Sequence, residues 1–301
     1  MAEPLKYLDA KTLNRASRLE IKAREIVEGT ISGMHKSPFR GYSVEFAQHR
    51  EYVTGDDLRH IDWKVYGKSD RFYIKEYEEE TNLTTTTLLD MSESMAYGDE
   101  KRGTKFDYAA TIAATMAYLI LKQQDQVALA LFDEDVQRYV PHSASLSQFR
   151  TVVAELAAAV PTRKTKTSEV FAKMANRLVR RGLVIVISDF LEEPEEILRG
   201  LSMLRHRKHD VIAFHVLDHD ELTFPFERMT RFEGLEEMPK ITADPRVLRQ
   251  AYLEEVEAFT LAMKKGCLKN RIDYVLMDTG TPVDVALTRY LATRMAEASR
   301  G

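Results

Sequence analysis

Residues 88–97, LLDMSESMAY, carry an apolar run to Asp90 and then set hydroxyls at Ser92 and Ser94. Asp and Ser favour turns because their short side chains bond nearby backbone amides, so a plain turn is the first reading of any lone Asp-x-Ser. The pattern around the stretch asks for more. From residue 83 onward, short apolar runs alternate with helical periodicity. Residues 83–90 read as a strand, and Lys105–Lys122 as a helix with Phe106, Ala109, Ala113, Met116 and Ile120 on one face. Gln126–Phe132 reads as a strand that turns through Asp133, Glu134 and Asp135 into a hairpin partner over 136–140. Further helices are expected over 149–160, 168–180, 246–268 and 282–298, the last with Pro282 in its first turn. Leu183–Ser188 and 211–217 are unbroken apolar runs, the mark of strands covered on both faces, and 272–277 is a last strand. Strand and helix units repeated in this way predict an α/β fold, an open, mainly parallel sheet with helices on both faces.

Upstream the texture differs. Leu13, Leu19, Ile26 and Ile31, with Arg15, Lys22 and Glu25 between them, predict an amphipathic helix over 13–31. Residues 42–81 are rich in Tyr, Phe, Val and Ile, with turn signals at 55–57 and 67–70, and predict a small set of extended segments. The expected organisation is an N-terminal helix and β-rich subdomain over 1–81, followed by an α/β domain over 82–301.

Composition removes several function classes. With 43 basic and 47 acidic side chains and a net charge of −4, the chain of 301 residues has no overall footprint for nucleic acid or anionic lipid. The single cysteine, Cys267, excludes an intrachain disulfide and a multi-cysteine zinc site, and reads as a packed helix residue. The longest uncharged stretch, 108–121, falls short of the ~20 apolar residues of a membrane span, and the first residues lack a signal-peptide core. A soluble, cytoplasmic protein without membrane insertion is the expectation. Arg59, Asp62 and Trp63 read as local packing, the eight histidines show no helical metal-ligand spacing, and the run of Glu76 to Glu80 reads as a solvated face.

Ligands of open parallel sheets sit beyond the carboxyl ends of the strands. Asp90 ends one predicted strand and Asp189, in VIVISDF, follows another, while the loop in PTRKTKTSEVF brings Thr165, Thr167 and Ser168 to the start of a helix. Carboxylates and alcohols are hard oxygen donors that suit Mg²⁺, with Mn²⁺ or Ca²⁺ less favoured. In an extended loop, Asp90, Ser92 and Ser94 would face one side and Met91 and Glu93 the other.

DMSES, the TKTS loop and the ISDF ending resemble the metal-ion-dependent adhesion site of von Willebrand factor A-type domains. The resemblance implies metal ligands at Asp90, Ser92, Ser94 and Asp189, with Thr167 the middle ligand and Thr165 its rival. Upstream, YVTGDDLRHIDWKVYGKSDRFYIKEYEEET resembles a bacterial family of domains of unknown function, number fifty-eight, and the likeness runs from Ser37 through RIDYVLMDTGTPVDVALTRYLATR. The two resemblances together imply a non-enzymatic binding module in which a partner's Asp or Glu completes the coordination of the metal. Relatives of this kind are commonly encoded beside MoxR-type AAA+ ATPases, so such an ATPase is the implied partner. The chain has no Gly-x-x-x-x-Gly-Lys loop of its own. The alternative is a magnesium-dependent phosphohydrolase with Asp90 as nucleophile and Asp189 on the metal, but Ser92 stands where such enzymes place an acidic proton donor. No Gly-x-Ser-x-Gly elbow surrounds Ser92 or Ser94, which argues against a serine hydrolase.

Overall fold

A computed structural model describes residues 9–31, 43–53, 56, 57, 61–69, 71–80, 83–99, 101–162, 164, 166–232 and 241–298. The chain divides into a larger unit, Met1–Pro38 with Thr84–Gly301, and a smaller one, Phe39–Leu83. Helix α1 (Ala10–Ile26) opens with Asp9, whose carboxylate accepts from the Thr12 amide at 2.7 Å, and continues as a π-helical turn, Val27–Ile31.

In the smaller unit β1 (Ser43–Glu51) and β2 (Tyr73–Glu80) pair antiparallel with a bulge between Phe46 and Gln48, and α2 (Trp63–Ser69) lies between them in sequence. Composition and turn signals predict extended segments throughout this region, and α2 is the correction. Its cause is Asp62, buried, whose Oδ1 accepts from the amides of Lys64 at 2.9 Å and Val65 at 3.3 Å and so satisfies donors at the start of a helix. Trp63 is 62% exposed and meets Tyr66 and Phe72 edge-on, while Tyr66 stacks on Phe72 at 4.5 Å. Arg59 and the side chains at 76–80 lie outside the described residues.

The larger unit is built in chain order from β3 (Thr84–Asp90), a two-stranded ribbon of β4 (Gly98–Asp99) and β5 (Gly103–Thr104), α3 (Lys105–Lys122), β6 (Gln126–Phe132), β7 (Val136–Ser143), α4 (Ser147–Ala158) and α5 (Thr167–Arg177). It continues with β8 (Leu183–Ser188), α6 (Pro194–His206), β9 (Asp210–Leu217), α7 (His219–Thr223), a ribbon of β10 (Thr230–Phe232) and β11 (Ile241–Ala243), α8 (Pro245–Lys269), β12 (Asp273–Asp278) and α9 (Val283–Ala298). Six strands form one sheet in the order β12-β9-β8-β3-β6-β7, parallel except for β7, which returns antiparallel at one edge. The expected open, mainly parallel sheet with helices on both faces is the observed one.

On one face lies α3, capped by Thr104 and Asp107 in a reciprocal box and buried at nearly every position from Lys105 to Leu121. A helix apolar all round needs cover on all sides. It has the sheet beneath and α1 and α4 against its flanks, which is why the uncharged stretch noted in the sequence is a core helix. Among the described residues no helix is long and apolar enough to cross a membrane. Because α1 packs on α3 and α4, it falls within the α/β unit, whereas the sequence boundary at 81 had grouped it with the β segments. Arg15 ties it there, donating to the carbonyls of Ala157 and Ala159 and pairing with Asp107 at 2.8 Å.

The opposite face is covered by α5, α6 and α8, where Phe171, Met174, Leu201, Leu204, Met263 and Cys267 pack on Leu88, Val184 and Val186. Cys267 is buried within α8, as expected. Helix α6 was not foreseen, although Pro194 at its start and Ile197, Leu201 and Leu204 at helical spacing carry its signal.

Candidate functional site

All five parallel strands leave the sheet through an aspartate at one rim: Asp90 ends β3, Asp133 follows β6, Asp189 follows β8, Asp218 follows β9 and Asp278 ends β12. Four of them do the same local work. Each Oδ1 accepts the backbone amide two residues on, from Ser92 at 2.8 Å, Asp135 at 3.2 Å, Asp220 at 2.9 Å and Gly280 at 2.7 Å. This is the side-chain turn that stops a strand without leaving its first free amide unpaired.

Asp189 departs from the pattern. The amide two residues beyond Ser188 is taken instead by the Ser188 hydroxyl, which accepts from Phe190 N at 2.8 Å and donates to Asp90 Oδ2 at 2.6 Å. Asp189 is therefore free of turn duty. Its Oδ2 receives the Lys105 ammonium at 2.7 Å, and its Oδ1 is buried with no hydrogen-bond partner. A buried, unpaired carboxylate oxygen costs about 1–3 kcal/mol or more and asks for a ligand or a functional reason.

Around it the predicted oxygens are placed as follows. Asp90, Ser92 and Ser94 are all buried, and the Ser92 and Ser94 hydroxyls lie 3.0 Å apart. Ser92 is extended, but the chain then winds into a short 3₁₀ turn, Glu93–Ala96, so Ser94 reaches Ser92 through a helical turn and not along an extended loop as the sequence suggested. Met91 is also buried, because the loop turns inward. Thr167 is the buried first residue of α5, and both its amide and its hydroxyl donate to Glu192 Oε1, a carboxylate from the loop after β8. Thr167 thus stands at the same rim, engaged with Glu192; Thr165 lies outside the described residues.

The electrostatics derive from burial. Lys105, 1% exposed, lies between Asp189 and Glu221, reaching the latter's Oε1 at 2.8 Å. Burial alone would lower its pKa, but the two carboxylates outweigh that and raise it, so the ammonium stays charged. Asp90 is pushed up to about 7, first by burial and then by the negative charge of Asp189, against hydrogen bonds from Ser188 and Ser92 that favour its ionised form. Glu221 is likewise raised, chiefly by burial. Asp189 and Glu221 share one ammonium and Asp90, beside Asp189, pairs with no cation among the described residues, so the cluster is short of positive charge.

A hard cation fits that deficit: the donors are carboxylate and hydroxyl oxygens, Asp189 Oδ1 has no other partner, and each Asp90 oxygen keeps a second lone pair. No group of three or more His, Cys, Asp or Glu among the described residues is arranged to hold a metal, which leaves a mixed set of two carboxylates with neutral alcohols. Lys105, Ser188, Glu192 and Glu221 were missed in the sequence. Lys105 had a visible signal, a cation in the first turn of an otherwise apolar helix, where the helix dipole disfavours it.

The chain is 26% identical over 224 residues to uncharacterized proteins of Mycobacterium tuberculosis and Mycobacterium bovis, covering 72% of this chain and 68% of each relative. Among solved structures it is similar to the conserved hypothetical protein BatB from Bacteroides thetaiotaomicron, at a TM-score of 0.47 and 15% identity over 71% of this chain and 99% of that one. It is also similar to the vWF domain of the type V pili tip protein Mfa5 from Porphyromonas gingivalis, at a TM-score of 0.40 and 12% identity over 73% of this chain and 97% of that one. The family described as "Protein of unknown function DUF58" matches residues 48–260, and the chain belongs to that family.

Proposed function

We propose that the protein is a non-enzymatic, metal-dependent protein-binding module. A divalent cation, Mg²⁺ before Mn²⁺ or Ca²⁺, would be held by Asp90, Ser92, Ser94 and Asp189 with Thr167 behind them, and an acidic side chain of a partner would complete its sphere. The observation that carries this reading is Asp189 Oδ1, a strand-end aspartate oxygen excused from its turn and buried without a partner. Neutral alcohols in the ligand set leave the ion's charge incompletely compensated, which is what makes it attractive to a partner's carboxylate. On the family resemblance, the partner class is a MoxR-type AAA+ ATPase acting in assembly or remodelling of other proteins, in the cytoplasm. A phosphohydrolase using Asp90 is not favoured: the carboxylate is fully buried away from an incoming phosphate ester, and Ser92 stands where an acidic proton donor is needed.

The test is thermal and chemical unfolding with and without Mg²⁺. An ion that binds only the folded state at a hundred times its Kd adds about 2.7 kcal/mol. The wild type should gain stability with millimolar Mg²⁺ or Mn²⁺, and Asp90→Ala and Ser94→Ala should gain much less. An equal metal response in all three proteins would overturn the reading, as would metal-dependent phosphatase turnover that Asp90→Ala abolishes.

A further inference from the structure

At the rim opposite the aspartates, a cavity of about 250 Å³ opens at the starts of β3, β6 and β8, beside the end of the antiparallel β7. Thr84, Tyr139, His142, Arg177, Arg180 and His209 line it, and neither Asp nor Glu does. That is unusual in a chain whose acidic side chains outnumber the basic ones. Among the described residues no carboxylate pairs with Arg177 or Arg180.

Arg177 is also oriented. Its guanidinium lies 3.7 Å from the centroid of the Tyr139 ring, a cation–π contact that holds the charge at the cavity without using up its N–H donors on a carboxylate. His142 is fixed by a 3.0 Å contact between its Nε2 and the Thr86 hydroxyl. Arg180 lies close enough to add its charge to that imidazole's surroundings. His209 is buried; its Nε2 faces the Leu178 carbonyl at 3.3 Å, and its Nδ1 has no partner. Two exposed guanidiniums without acidic partners among the described residues, two imidazoles and threonine hydroxyls therefore surround a space smaller than the ~300–1,000 Å³ of sites for drug-sized ligands.

We propose that this cavity is a binding site for the phosphate group of a small ligand, either free inorganic phosphate or a sugar-phosphate monoester, with Arg177 and Arg180 as its charged ligands. A dianion is matched by two guanidiniums, and the planar fork of Arg suits phosphate oxygens better than an ammonium would. The inference is independent of the metal site and lies at the other rim of the same sheet.

Calorimetric titration of the full chain at fixed ionic strength tests it, with inorganic phosphate, ribose 5-phosphate and ribose as probes. Saturable binding of a phosphate-bearing probe, absent for ribose, is expected, weakened at least tenfold in Arg177→Gln and in Arg180→Gln. Arg207→Gln, whose guanidinium is bonded to Asn176 at 2.7 Å and does not line the cavity, should bind as the wild type does. Preference for ribose 5-phosphate assigns the site to esters, and preference for inorganic phosphate assigns it to the free ion; either supports the proposal. No saturable binding of either probe to wild type, or an equal loss in Arg207→Gln, would overturn it.

Discussion

The two rims of the sheet are opposites in charge and in how that charge is managed. At the carboxyl rim, acids are gathered and most are given cations: Lys105 serves Asp189 and Glu221, and Arg102 lies within 2.7–3.5 Å of Asp99, Asp218 and Asp220. At the amino rim, Arg177 and Arg180 flank a cavity without a carboxylate in its lining. Parallel topology explains part of this polarity, because strand-to-helix connections put helix N-termini at one rim and C-termini at the other, and the dipoles favour acids and bases there respectively. It does not explain Lys105, a cation in a helix's first turn. The exception points to demand from Asp189 and Glu221.

The largest effect should come from breaking that pairing. Lys105→Met keeps the aliphatic stem and removes the ammonium, leaving Asp189 and Glu221 without their cation in a buried setting. Loss of one partner from a buried ion pair costs about 3–5 kcal/mol. Urea unfolding of the metal-free protein should show a loss on that scale, and added Mg²⁺ should restore part of it, since a metal at Asp189 would answer the same deficit. A change below about 1 kcal/mol would mean that the two carboxyls simply take up protons and the rim is not organised around Lys105.

Much of this carboxyl rim was legible in the sequence. Asp189 follows an unbroken apolar run, whereas Asp90 follows four β-branched threonines and two leucines, and β3, β6, β8, β9 and α3 emerged at or within one residue of their expected bounds. Pairing across distance could not be read. Lys105 and Glu221 are 116 residues apart, and Thr167 and Glu192 are 25 apart, so no local pattern joins them. Helix α2 was hidden for another reason: its seven residues contain too few turns for periodicity, and its only signal was the cap at Asp62. The placement of α1 was hidden because an amphipathic stripe shows that a helix packs and not on what.

An intermediate effect belongs to His215, in β9 between the rims. It is buried among Phe190, Phe259 and Tyr274, and its Nδ1 lies 2.7 Å from the Tyr274 hydroxyl. Burial first, with the charge of Lys105 adding to it, lowers its pKa to about 4, although the charge and backbone of Asp189 act in the other direction. The folded state therefore refuses a proton that the unfolded chain accepts near 6.5. Stability from this group is complete above about pH 6.5 and is lost as pH falls toward about 4, at up to about 1.4 kcal/mol per pH unit. His215→Phe should flatten that limb of a stability-against-pH curve by about one proton. An unchanged slope between those pH values would show that His215 titrates normally in the folded protein.

The smallest effect sharpens the contrast at the amino rim itself, where arginines with and without acidic partners stand near one another. Arg205 donates to the His209 carbonyl at 2.8 Å and to Asp210 Oδ1 at 3.1 Å, and both side chains are roughly 30% exposed, so the pair is partly shielded from water. Truncating it to Gln removes a charge-assisted bond, and partial screening limits the loss to about 1 kcal/mol. Arg180 has no carboxylate to lose among the described residues, and its neighbours at the cavity include Arg177 and His142. Arg180→Gln removes like-charge repulsion, so its stability should stay within about 0.5 kcal/mol of wild type or rise slightly in low salt, where repulsion is least screened. Paired urea titrations at two salt concentrations distinguish the cases: Arg205→Gln should lose stability, and Arg180→Gln should not. A loss at Arg180 as large as that at Arg205 would mean that its guanidinium holds the fold together and is not held in reserve for an anion.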